Sequence, residues 1–82
     1  MIILDSARKH GISDNDILKV VKEPKLVYII RPEPEKTLIL GFDTKVRVIE
    51  IVTDTMADGQ LCVIHADKIT KKYEKLLEET LC

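Results

Sequence analysis

His65 and the lysines just beyond it are the side chains of this 82-residue sequence whose types and spacing suit chemistry on a phosphate. His65 stands where the hydrophobic period changes. Leu61-Cys62-Val63-Ile64 is a short apolar run of strand type, whereas Ile69, Tyr73, Leu76, Leu77 and Leu81 recur at helical spacing. Within that helix the i, i+3, i+4, i+7 pattern is met twice, by Ile69, Lys72, Tyr73 and Leu76 and by Lys68, Lys71, Lys72 and Lys75. One flank is apolar and the next is basic. A helix laid by its apolar side on a sheet would bring these lysines near His65, a geometry that can hold a phosphate. An ordinary amphipathic helix with a solvated basic face accounts for the same spacing, and the residues alone leave both readings open.

Other candidates have plain readings beside them. Arg8, Lys9 and His10 form a basic cluster just before Gly11, where positive charge at a helix C-terminus needs no ligand. Arg47 opens an apolar strand and is either a rim arginine or a phosphate clamp. Tyr73 falls in the apolar stripe of the last helix, which favours core packing over base stacking. Cys62-x-x-His65 has the look of a metal pair, but residues three apart on a regular strand point to opposite faces, so no metal site is expected.

The elements that must position these residues can be read in order. Residues 1–4 are apolar and form a short strand or a lead-in, with Asp5 or Ser6 placed to cap the helical turn that ends at Gly11. Ser13 as N-cap, acidic residues in the first turn and an Ile12–Ile17 staple predict a helix over residues 14–22, stopped by Pro24. Residues 26–30 predict a strand, and the proline-rich stretch 31–35 a connection that does not pair. Residues 37–42 and 46–53 predict the next two strands; the latter, apolar on both faces, is central, with Arg47 at its rim. Asp58-Gly59 turns the chain into the last strand and the C-terminal helix. The expected fold is α+β: two N-terminal helices, a four-stranded antiparallel sheet and a C-terminal helix, in one domain over residues 1–82.

Bulk properties bound the function. The chain is 45% hydrophobic and 33% charged, as in a globular protein, and its size makes for a marginal core. A formal net charge of −1 argues against holding nucleic acid by bulk electrostatics, so any RNA binding needs a local basic patch. No apolar run is long enough to span a bilayer, and Asp5 interrupts the N-terminal apolar run too soon for a signal peptide. Cys62 and Cys82 give no disulfide framework. A cytoplasmic location without a membrane partner is expected.

The blocks Ala7-Arg8-Lys9-His10-Gly11-Ile12-Ser13, Asp16-Ile17-Leu18, Leu38-Ile39-Leu40-Gly41, the strand 46–52 with Arg47, and Val63-Ile64-His65-Ala66 before a lysine-rich helix ending in Lys72-Tyr73 resemble the BrnT-like toxins of type II toxin–antitoxin systems. These belong to the RelE/ParE-like superfamily, so the fold implied is RelE-like. Where many relatives read Gly-Arg, this chain reads Val46-Arg47, and lysines stand where arginines are frequent after the last strand.

The resemblance implies a metal-independent endoribonuclease, without a cofactor, that inhibits translation. In such chemistry the ribose 2′-hydroxyl attacks the adjacent phosphate, and the site supplies a base, an acid and cations. Imidazole is the side chain suited to proton transfer near neutrality, which makes His65 the first choice. Arg47 would clamp the phosphate and Lys72 would add charge, completing the catalytic set. His10, Lys9, Arg8, Lys68, Lys71 and Tyr73 would bind RNA. Implied partners are RNA, free or on the ribosome, and an antitoxin of ribbon-helix-helix type; a homodimer is a further expectation. The alternatives are a non-catalytic interaction module using a strand edge or the last helix, and an RNA binder that does not cut.

Overall fold

The computed structural model describes residues 1–81 and, for Leu81, the backbone only; expectations placed on Cys82 and on the Leu81 side chain lie outside the described residues. The elements are β1 (Ile2–Ile3), a 3₁₀ turn (Asp5–Arg8), α1 (Asp14–Lys22), β2 (Leu26–Pro32), β3 (Glu35–Phe42), β4 (Val48–Thr55), β5 (Leu61–Lys68) and α2 (Lys71–Leu81). The strands form one five-stranded sheet in the order β1-β5-β4-β3-β2. β2 to β5 are antiparallel to their neighbours, and β1 runs parallel to β5.

The α+β class holds, but two N-terminal helices on a four-stranded antiparallel sheet do not. Asp5–Arg8 makes one 3₁₀ turn and no α-helix, because Leu4 and Gly11 leave room for little more, and Gly11 ends it at φ +78°. Neither Asp5 nor Ser6 caps it; the Ser6 hydroxyl instead donates to the Ile64 carbonyl of β5 at 2.9 Å. Within residues 1–4, Ile2 and Ile3 form the short strand, which takes the sheet to five and makes it mixed. Ile2 lies opposite Cys62 and Ile3 opposite Val63.

Local signals placed α1 correctly. The Ser13 side chain accepts from the Asp16 N–H at 3.1 Å, and Ile12 and Ile17 meet in the core. α1 covers one face of the sheet, where Ile17 and Val20 bury against Ile39, Ile49, Ile51 and Val63. Gly41 allows this contact, since a Cβ there would stand 3.1 Å from Val20 Cγ1. α2 covers the other face, with Ile69, Tyr73, Leu76 and Leu77 against Leu38, Leu40 and Val52. The molecule is a helix–sheet–helix sandwich with a core on each side of the sheet.

Three further expectations shift. Arg31 and Pro32 pair with Lys36 and Glu35, so the proline-rich stretch closes a tight hairpin and does not leave the sheet. Pro32 is tolerated because β2 is an edge strand, where a missing donor is cheap. β4 begins at Val48, which leaves Arg47 in the preceding turn. β5 continues to Lys68, so His65 lies within the strand and not at its end.

Candidate functional site

β4 is the central strand, and its residues alternate between the two cores. Ile49 and Ile51 join the α1 side. Glu50 therefore points to the α2 side with Val52, into a layer where its carboxylate is 1% exposed. A charge there requires partners, and Glu50 has them. Oε2 lies 2.7 Å from His65 Nε2, and Oε1 accepts the Thr70 backbone N–H at 2.5 Å. A carboxylate has no proton to give, so Nε2 is the donor and Nδ1 is the nitrogen left for exchange. Glu50 thus ties the histidine of β5 to the start of α2.

β5 reaches this arrangement through a bulge. Thr53 pairs with Val63 and Val52 with His65, leaving Ile64 as the extra residue. The bulge also overturns the strand-parity reason given above against a Cys62–His65 pair, since by register both residues share a face. Among the described residues, no three His, Cys, Asp or Glu side chains gather as a metal-holding group.

His65 forms part of the wall of an open groove of about 310 Å³ on the α2 face, lined also by Ile30, Lys36, Val52, Ile64, Lys72 and Tyr73. Its floor and sides are apolar, and its polar groups are cationic or neutral. Lys72 Nζ stands 5.1 Å from the centre of the Tyr73 ring. Tyr73 also packs into the α2-side core, so it is core and wall together. Behind His65, the His10 ring stands edge-on with centroids 5.6 Å apart, and His10 Nδ1 lies 3.6 Å from Asp67 Oδ2. A larger cavity of about 350 Å³ under the far half of α2 is lined mainly by Leu26, Leu40, Phe42, Val48 and Leu77 and offers no acid–base pair.

Of the residues singled out in the sequence, His65, Lys72, Tyr73 and His10 come together. Arg47 does not. Its turn packs on α1, where the Thr44 N–H donates to Asp16 Oδ1 at 3.0 Å, and its Nε donates to Asp43 Oδ2 at 2.8 Å. Pairing Arg47 with His65 in one site is therefore corrected: the Asp43 turn holds the guanidinium, and Arg47 is not among the residues that line the His65 groove. Burial pushes the Asp43 carboxyl up, but N–H donors from Arg47 and Lys45, with the Arg47 charge, outweigh it and hold the group below its ordinary range. Arg8 is also committed elsewhere, to Asp14 at 3.0 Å and Asp5 at 3.1 Å. The Asp14 hydrogen bonds, then its charge and Asp5, raise the Arg8 pKa, and Arg8 lowers that of Asp14. Lys9, Lys68 and Lys71 are exposed and do not line the groove.

Glu50 and Lys36 were not singled out in the sequence. A lone glutamate between Ile49 and Ile51 in a central strand signals a buried carboxylate that must have a partner. Lys36 carries no such mark, because its place depends on the hairpin closing through Pro32.

Fold and site together define a small α+β domain whose mixed sheet presents a glutamate-oriented histidine beside a lysine-lined groove. Comparison of the chain with protein-family models, with curated proteins and with solved structures finds no match. Among the described residues, no helix is long and apolar enough to cross a membrane.

Proposed function

We propose that this protein is a metal-independent endoribonuclease, acting in the cytoplasm as the toxin of a type II toxin–antitoxin pair, in keeping with its resemblance to the BrnT-like toxins. One observation carries the reading. A buried carboxylate, Glu50, fixes His65 at the wall of a groove to which, among the described residues, Lys36 and Lys72 bring positive charge. Positioned imidazole with cations nearby is what transfer at a ribose phosphate needs, since proton movement and charge build-up on phosphorus occur together.

In this reading His65 Nδ1 takes the proton of the ribose 2′-hydroxyl as its oxygen attacks phosphorus. The P–O5′ bond breaks, and the leaving oxygen takes a proton from solvent at the open mouth of the groove. The products are a 2′,3′-cyclic phosphate and a free 5′-hydroxyl. Lys36 and Lys72 hold the non-bridging oxygens as charge builds, and the Tyr73 face supports a base. An antitoxin that lies over the groove would silence the enzyme.

The test is cleavage of bacterial RNA by the purified protein in excess chelator. Wild type should cut, and His65→Ala should lose roughly a thousandfold in rate, within the usual worth of acid–base groups. Lys72→Ala should lose about tenfold, and Arg47→Ala should stay near wild type. No cleavage by folded wild type, or cleavage unchanged in folded His65→Ala, would remove this reading.

A further inference from the structure

Glu50 leaves His65 one nitrogen with which to work. Nε2 is spent on the buried carboxylate at 2.7 Å, and the carboxylate is kept from turning because its other oxygen accepts the Thr70 N–H. The second imidazole, His10, stands edge-on to His65 with Nδ1 3.6 Å from Asp67 Oδ2, and it is not among the residues that line the groove. A cut at phosphorus therefore ends with the proton of the 2′-hydroxyl on His65 Nδ1, and among the described residues no other imidazole of the groove can take it on. The charge that arrives there faces Glu50, and a carboxylate behind an imidazole stabilises the imidazolium. The site is left holding an acid beside the oxygen that it has just deprotonated.

We propose that this protein has a second activity in the same groove, the hydrolysis of nucleoside 2′,3′-cyclic phosphates to 3′-monophosphates; the proposal rests on the ribonuclease reading above. Water enters where the 5′-oxygen left, since 30% of the His65 side chain stays in contact with solvent. The water oxygen bonds to phosphorus and releases a proton to solvent. The P–O2′ bond breaks, and O2′ takes the proton from Nδ1. His65 returns to the neutral base, so one histidine serves both steps, first as base and then as acid. Because the acid stands beside O2′ and not O3′, the phosphate stays on the 3′ position. Lys36 and Lys72 face the cyclic phosphate as they face that of RNA. At about 310 Å³ the groove is at the small end of ligand sites and suits a single nucleotide.

Incubating the purified full chain with 2′,3′-cyclic AMP in excess chelator, and separating the products by chromatography, tests this. Wild type should yield 3′-AMP and no 2′-AMP. His65→Gln, whose amide can still donate to Glu50, should keep the circular dichroism spectrum and lose roughly a hundredfold in rate. RNA fragments that keep their cyclic ends, beside an unchanged cyclic nucleotide, would overturn this proposal and leave the endoribonuclease in place. A mixture of 2′- and 3′-monophosphates, or a rate unchanged in folded His65→Gln, would overturn it as well. Hydrolysis of the cyclic nucleotide to 3′-AMP by a protein that leaves RNA whole would sustain this activity and remove the toxin reading, and no reaction of either would remove both.

Discussion

Glu50 is the residue on which the candidate site turns, and its worth is as much structural as chemical. Its two oxygens hold His65 and the Thr70 N–H in a layer otherwise filled by Leu38, Leu40 and Val52. Replacing it with leucine leaves both donors without an acceptor, so Glu50→Leu should cost about 3 kcal/mol in urea unfolding, while Glu50→Gln, which can still accept from Thr70, should cost less. Val46 is a smaller case with the opposite sign. It holds φ +61° while 74% exposed, so it is strained and buries almost nothing. Left-handed backbone costs an L-residue roughly 1–2 kcal/mol, against about 0.5–1 for the greater unfolded freedom of glycine. Val46→Gly should therefore raise the thermal midpoint by a few degrees. Glu50 was legible as a lone charge in an apolar strand; the partner it would find was not, since His65 reaches it only through the bulge at Ile64.

Elements were legible where their signals were local. Ser13, Asp14, Asp16 and the Ile12–Ile17 staple lie within six residues, and α1 runs from Asp14 to Lys22 as they require. Ser13→Ala should lower stability by about 1 kcal/mol, read from chemical unfolding. β1 was not decided by local pattern, because two residues become a strand only when β5 is there to pair with them. The turn before β4 is organised by Asp43, 2% exposed, accepting from the Lys45 and Arg47 N–H groups at 2.9 and 2.8 Å. Its folded pKa lies below the ordinary 3.8, so its contribution is complete above that value and is lost as pH falls below it through the lowered pKa. Asp43→Asn should therefore be less stable than wild type at neutral pH. That gap should narrow as pH falls below the ordinary 3.8, measured as thermal midpoints across the series.

At the scale of the molecule, the sheet is a ladder whose ends decide what it does in company. The rungs β2 to β5 are sequential antiparallel pairs, whereas β1 joins β5 by a long-range parallel contact, Ile2 to Cys62. What β1 adds in apolar area is slight: Ile3 alone packs on the α1-side core, and Ile2 is 43% exposed. Its larger effect is to cover the backbone of β5, which carries His65. Without residues 1–4, Cys62 and Val63 lose their pairing and the Val63 carbonyl loses the Leu4 N–H. The sheet would then present two open edges, and a sheet open at both ends can add copies at each without closing. Removing residues 1–4 should therefore lower stability modestly and carry the mass in sedimentation velocity past that of the full chain into a polydisperse series. Adding Ile29→Lys to the shortened chain blocks growth through β2 and should cut that series short. A shortened chain that keeps the mass of the parent would mean that the 3₁₀ turn, through Ser6 on Ile64, covers β5 by itself.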